Sequence, residues 1–586
     1  MKTFILAFLA FSFQLTVSFA QNPLFQHPAG MITPQVVSCY PPQNFTHFPL
    51  ADSLTITFGQ STPINSASLT DSTFVVMGQQ SGWHQGTATY NGGTNTITFK
   101  PIKPFFAGEL VTTVATKKIQ YDSAGTIVPI HGFAWQFYGA VTKQTRATFQ
   151  DTEHLNPEGF TDISALADMD NDGNIDLLYQ HAPGDIIAFN TGNGLNYVNT
   201  TLSSEGNIFP ADYLHRGFID IVEGYFSCAY DSNKGNRTFS SGRSQTFNGP
   251  GSAITMVDID CDGAPEIIVG GLQKGTGTTL DTINVYSVIG DSIIKRQSIY
   301  VGDISIMSSG DFNNDGAIDV YVYAGGHSEI LYNDGAGKLL PPQTITPNVA
   351  GGLNAVDMDN DGLLDLVGWT GQGVEIDHNN GDGTFTPFYS NDRFDASRYG
   401  FNVGDCDGDG LMDVVYTPVT DTTFIVIARN IGNDQVRVTQ EIAENTYLGQ
   451  GAEVFLGDLD NDGAMDMAIS FDQTGTIVIL KNDSSVPPLA VVQSPVSSPE
   501  GYVLNENFPN PSSNVTNISY VIPTTETVNI SIYNTDGQLI STVVNGLVTG
   551  GANAATYDCS ALPSGVYFIR LIALHVTLTK EFVHYV

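Results

Sequence analysis

The chain has 586 residues, room for roughly three to four domains. Its 60 acidic residues against 22 basic ones give a formal net charge of −38. Nucleic acid and anionic membrane surfaces are thereby excluded as expected partners, because both require clustered Lys and Arg. With 14% charged residues, 41% hydrophobic residues and 60 glycines, the composition is not that of a disordered chain. A Gly-, Tyr-, Phe- and Thr-rich content predicts an all-β protein with many turns.

In chain order, Lys2 and the apolar run Phe4–Phe13 precede Val17, Ser18, Phe19 and Ala20. A short basic start, an apolar core and small residues before a break predict a secretory signal over 1–20. Gln14 and Thr16 interrupt the run, which falls short of the ~20 apolar residues of a membrane anchor. No later segment is apolar enough to span a bilayer, so no transmembrane segment is expected in the mature chain. Residues 30–140 alternate apolar and polar, as in Ser53–Phe58, Asn95–Phe99 and Leu110–Ala115, which predicts a separate β-sandwich. The five cysteines are scattered without zinc spacing, and their pairing stays open.

Residues 150–485 are dominated by a repeat. A nine-residue acidic frame, with acids at positions 1, 3, 5 and 9 and Gly at 6, starts at 168, 258, 311, 357, 405 and 458, the copy at 311 carrying Asn313 at position 3. A seventh copy, Asp212 to Asp220, keeps the frame but carries Leu214 and Arg216 at positions 3 and 5. The seven starts fall 44, 46, 53, 46, 48 and 53 residues apart, and each frame runs into a β-type stretch such as Leu177–Tyr179 or Ile267–Val269. Several short strands per ~45 residues form the signature of a propeller blade. Seven units predict a seven-bladed β-propeller.

Four carboxylates within nine residues repel one another unless a cation joins them. Calcium accepts six to eight oxygens in irregular geometry, which such a loop supplies. The expected ligands are Asp168, Asp170, Asp172 and Asp176; Asp258, Asp260, Asp262 and Glu266; Asp311, Asn313, Asp315 and Asp319. In the later copies they are Asp357, Asp359, Asp361 and Asp365; Asp405, Asp407, Asp409 and Asp413; Asp458, Asp460, Asp462 and Asp466. The position-7 carbonyls of Asn174, Ala264, Ala317, Leu363, Leu411 and Ala464 are expected to complete about six structural Ca2+ sites. Arg216 and Leu214 are expected to abolish binding in the seventh. An EF-hand would need Glu at position 12 and flanking helices, thrombospondin-type repeats pack their triplets more closely, and the plain alternative is a solvated acidic turn.

These acidic loops leading into apolar strands resemble the FG-GAP/VCBS repeats of integrin-α-like propellers, although the Phe-Gly and Gly-Ala-Pro signatures are mostly missing. Phe74–Gly78, Thr96–Pro101 and Phe106–Glu109 resemble bacterial Ig-like domains of the S-layer type. A Ser- and Pro-rich linker is expected at 486–500. The final 501–586 carry Asn507-Phe-Pro-Asn-Pro511 and Ser564-Gly-Val-Tyr567, and resemble the C-terminal sorting domain read by type IX secretion. That resemblance implies delivery to the cell surface or the medium, with the secretion machinery as a partner. The expected whole is an all-β chain, a seven-bladed β-propeller flanked by two Ig-like β-sandwich domains.

No HExxH helix, nucleophile elbow or phosphate loop stands in context, and no catalytic role is expected. His84 beside Trp83, and His131 near Trp135, are the candidates for a sugar-binding surface. The expected function is recognition of a polysaccharide or extracellular protein through the rim or face loops of the propeller. Polysaccharide degradation, as enzyme or accessory subunit, and a structural envelope role are the alternatives.

Overall fold

A computed structural model describes residues 35–482 and 502–584 apart from short internal stretches, the longest of them 443–452. The expected signal at 1–20 and the linker at 486–500 lie outside the described residues. Among the described residues there is no α-helix, only strands and one 3-10 turn at Ser66–Ser68. The chain divides into two compact units, Met1–Pro488 and Leu489–Val586.

The first unit opens with a two-sheet sandwich. One sheet holds Val36–Tyr40, Leu54–Phe58, Thr96–Pro101 and Gly86–Asn91; the other holds Phe45–Phe48, Phe133–Gly139, Leu110–Ala115, Phe74–Gly78 and Gly82–Trp83. In Leu54–Phe58 every second side chain is buried, as one covered face requires. Phe133–Gly139 is buried on both faces instead. A strand covered on both sides signals a second packing partner. Val257, Ile259 and Ile318 from the following domain supply it, clustering with Val75, Val114 and Ala134 of this sheet.

That domain comprises seven four-stranded antiparallel sheets among the described residues. Blade 1 runs from inside to outside as Thr161–Ala167, Asp176–His181, Ile186–Asn190 and Tyr197–Thr201. Blade 7 supplies Glu453–Gly457, Asp466–Phe471 and Thr476–Asn482, and takes its outermost strand, Phe149–Leu155, from ahead of blade 1. Successive innermost strands lie side by side, and that of blade 7 meets that of blade 1, so the ring is closed. Second strands such as Asp466–Phe471 are wholly buried between neighbouring blades. Each buried Ile, Val or Met there contributes about 1.5–3 kcal/mol by leaving water.

The second unit is another sandwich. Val503–Leu504, Val515–Ile522 and Gly551–Asp558 face a sheet of Leu539–Val548, Glu526–Asn534, Gly565–Ala573 and Val576–His584. Ile518, Ile530, Ile532, Ile569, Leu571 and Phe582 fill its core.

Candidate metal loops and the surface built on them

Each acidic frame links the first strand of a blade to the second. We number the loops by blade: loop 1 is 168–176, loop 2 is 212–220, loop 3 is 258–266, loop 4 is 311–319, loop 5 is 357–365, loop 6 is 405–413 and loop 7 is 458–466. In loop 1 the Asp168 carboxylate accepts the N–H groups of Asp172 and Gly173, both at 3.0 Å. Asp176 accepts Met169 N–H and Asn190 N–H, each at 2.8 Å. Asp172 accepts Asn174 N–H at 2.9 Å. The turn places Asn171 at φ +61° and Gly173 at φ +89°, a left-handed backbone that Asn and Gly tolerate best.

The position-1 contacts recur in all seven loops, loop 2 included, where Asp212 accepts Arg216 N–H and Gly217 N–H. Positions 1, 5 and 9 therefore shape the turn, and in loops 3, 4, 5 and 7 the position-3 side chain also accepts the position-5 N–H through one oxygen. Carboxylate oxygens of Asp168, Asp170 and Asp176 come within 4.8 Å of one another. The same holds for Asp258, Asp260 and Asp262, for Asp357, Asp359 and Asp365, and for Asp405, Asp407 and Asp413. Asp170 Oδ1 and Asp407 Oδ1 are buried without a hydrogen-bond partner, as oxygens awaiting a cation would be.

Electrostatics agree with that fit. Burial, reinforced by neighbouring carboxylates, pushes Asp176 and Asp466 up to about 8 and Glu266 up to about 9. A basic group stands at the position-3 acid of five loops. Arg237 meets Asp170 at 2.6 Å, Lys117 meets Asp260 at 2.9 Å, His378 Nδ1 lies 3.1 Å from Asp359, Lys481 meets Asp460 at 2.5 Å, and Arg429 pairs with Asp407. In loop 2 the guanidinium of Arg216 meets Asp220 at 2.5 Å.

A second set of residues escaped the sequence reading. Asn233, Asn379, Asn430 and Asn482 close the third strands of their blades and Asn333 follows just after its own, and each donates its side-chain N–H to the position-2 carbonyl of the preceding loop, respectively Met169, Phe312, Met358, Cys406 and, for Asn333, Ile259. Asn190 reaches Leu459 and so carries the circuit across the closure. In blade 3 the partner of the position-9 acid is Ser287, 2.9 Å from the longer Glu266. The signal was present as Asn-x-Gly, in Asn190-Thr-Gly192 or Asn379-Asn-Gly381.

The N-terminal sandwich sits on this ring of loops. Gln80 O accepts Asp168 N–H, Lys117 N–H reaches Cys261 O, Ala134 N–H reaches Gly316 O, and Thr142 N–H reaches Gly463 O. Thr46 donates to Gly410 O at 2.6 Å, and Asn44 to Gly362 O at 3.0 Å. Gly82, at φ +72°, backs so closely on Ile219 that a Cβ would come within 2.9 Å of it. The expectation that face loops are open for recognition is corrected on this side, because the sandwich covers them.

At the edge of this contact, Trp83, His84, Ile102, Lys103, Asn171 and Asn461 line a cleft of about 630 Å³. His84 is buried and its imidazole is lowered to about 4 by that burial. Ser81 Oγ lies 2.6 Å from His84 Nε2, but it also donates to Glu109 at 2.8 Å. A nucleophile relay needs the acid on the far imidazole nitrogen. Here His84 Nδ1 faces the Lys103 carbonyl at 3.3 Å, and Glu109 instead accepts backbone N–H groups of Gln80, Ser81 and Phe106. The cluster holds two turns together. Trp135 is fully buried and His131 exposed, so they form no joint sugar surface. Cys39, Cys261 and Cys406 form no disulfide among the described residues.

Comparison with known proteins follows the same divisions. The family model described as a bacterial Ig-like domain matches 31–138, and that of an FG-GAP-like repeat matches 311–367, 357–416 and 405–469. A secretion-system C-terminal sorting domain matches 506–584. No curated protein matches the chain. Among solved structures it is similar to an Agrocybe aegerita lectin described as recognising non-reducing terminal N-acetylglucosamine (17% identity, 72% of this chain and 93% of that one, TM-score 0.30). The Dos1 propeller is similar at 9% identity over 69% and 93% of the two chains, with a TM-score of 0.36. The periplasmic gluconolactonase of Pseudomonas aeruginosa aligns at 11% identity over 69% and 99%, with a TM-score of 0.32. Among the described residues no helix is long and apolar enough to cross a membrane. The chain joins a bacterial Ig-like domain, a β-propeller with FG-GAP-like repeats, and a C-terminal sorting domain that marks it for type IX export to the cell surface or the medium.

Proposed function

We propose that this is a calcium-stabilised recognition protein, without catalytic activity of its own, that binds a polysaccharide or an extracellular protein after export. Loop 2 carries the calcium part of the reading. It shares the position-1 backbone frame of the other six, yet fills the place between its acids with the guanidinium of Arg216, 2.5 Å from Asp220. The other six gather three or four acids against one or two basic partners at most, and that excess of negative charge is what a divalent cation would offset.

The six acidic loops hold 23 of the 60 acidic residues, so calcium would offset much of the net charge. The ions serve the fold: each would join the first and second strands of a blade, and the asparagine circuit would carry that rigidity to the next. With the loop face covered, the surfaces left for a ligand are the rim and the opposite face, where connections of unlike sequence are carried by a rigid ring. Metal that binds only the folded state stabilises it by mass action, by about 2.7 kcal/mol at a hundredfold excess over Kd. Removing calcium should therefore lower the melting temperature by several degrees, and an unchanged melting curve would refute the calcium reading. For recognition, the calcium-loaded protein is applied to arrays of polysaccharides and extracellular proteins. Specific capture supports it, and silence across both arrays favours a structural envelope role.

A further inference from the structure

Loop 4 differs from its fellows, and the difference rests on the calcium reading just given. Its position-3 residue is Asn313, and among the described residues no Lys, Arg or His forms an ion pair with Asp311, Asp315 or Asp319. These three carboxyls are also deeply buried, at 1%, 6% and 0% exposure. Three buried carboxylates without a counter-charge cannot all stay ionised.

The Ig-like domain closes over this loop from two sides. Ala134 N–H bonds Gly316 O at 2.8 Å, and Gln43 Nε2 donates to Asp311 Oδ2 at 2.7 Å. Gln43 and Asn314 are both more than nine-tenths buried, yet Gln43 Oε1 and Asn314 Oδ1 have no hydrogen-bond partner. An unmade bond on a buried amide oxygen costs about 1–3 kcal/mol. Both oxygens are of the neutral kind that calcium accepts beside carboxylates.

We propose that loop 4 and Gln43 form a single calcium site shared between the propeller and the Ig-like domain, whose ion is exchanged only when that domain lifts away. Loops 1 and 3–7 would then divide into five whose calcium ligands all come from the propeller and one whose ligand set takes in the Ig-like domain and so locks the sandwich in place. Thr46, bonded to Asn360 and to Gly410 in the neighbouring loops, holds the same edge down without touching loop 4.

The test mixes the calcium-loaded full chain with excess chelating dye and follows release. One ion is expected to leave at least tenfold more slowly than the rest. Gln43→Ala should abolish the slow phase, and Thr46→Ala should accelerate it without changing its amplitude. Gln43→Glu separates a ligand from a mere hydrogen-bond donor. As a ligand it adds a carboxylate and slows release further; as a donor only, it sets two acids together and speeds release, which would overturn the proposal. A slow phase unaffected by Gln43→Ala, or calcium binding with no slow phase, would also overturn it while leaving the calcium reading intact. Failure of the wild-type chain to bind any calcium would remove both.

Discussion

In Asn379 one side chain serves two blades. Its amide N–H groups reach Phe312 O of loop 4 and Leu364 O of its own loop, and its backbone N–H meets Asp365. Asn379→Ala leaves two buried carbonyls unsatisfied, at about 1–3 kcal/mol each in the worst case. We expect a loss of about 2–3 kcal/mol in equilibrium unfolding at fixed calcium; a loss below about 0.5 kcal/mol would show the circuit to be ornamental. The acids were legible in the sequence because four carboxylates in nine residues declare a cation by themselves. The asparagines were not, because the partner of each lies on another blade and nothing within Asn-x-Gly points there.

At the scale of the loop, the shared frame can be turned from one state of charge to another. Replacing Leu214 and Arg216 together by Asp restores the acids of positions 3 and 5 in loop 2 and removes the guanidinium. Calorimetric titration should then count one more bound calcium than in the parent chain; an unchanged count means the frame alone does not make a site. The loops also give stability a sign with pH. Burial holds the carboxyls of Asp176 and Asp466 up at about 8, against the ordinary 3.8, so the folded state keeps protons that the unfolded chain has lost. Without metal, stability should fall as pH rises from about 4 to about 8. Metal-stripped protein should accordingly melt higher at pH 5 than at pH 7.5, and calcium should flatten or invert that order. A metal-free protein that melts higher at pH 7.5 would contradict the burial of these groups.

For the whole molecule, the blade period and the two flanking sandwiches could be read from strand alternation and repeat spacing. The seating of the Ig-like domain could not. Gln43 and Asp311 are 268 residues apart, and the apolar residues Val75, Val114 and Ala134 that dock on the ring look like ordinary core positions in a strand. What betrays them is burial on both faces of one sheet, which only the folded chain displays. Export is a separate property of the C-terminal unit. A chain lacking 501–586 should keep its calcium-dependent melting and accumulate in the periplasm; its normal appearance at the surface would deny the tail its sorting role.

The strand that closes the ring sets an order of events. Phe149–Leu155 leaves the ribosome before blade 1, yet its partner, Thr476–Asn482, is made more than 300 residues later. Until then that strand has no neighbour in its sheet and offers an open edge to any other chain, a hazard that grows with waiting time. The Ig-like domain has meanwhile been synthesised in full, with a sheet face that only the finished ring will cover. Folding is thus held to the pace of the last blade, and slowing synthesis anywhere between 156 and 475 should raise the yield of aggregate more than slowing it after 482.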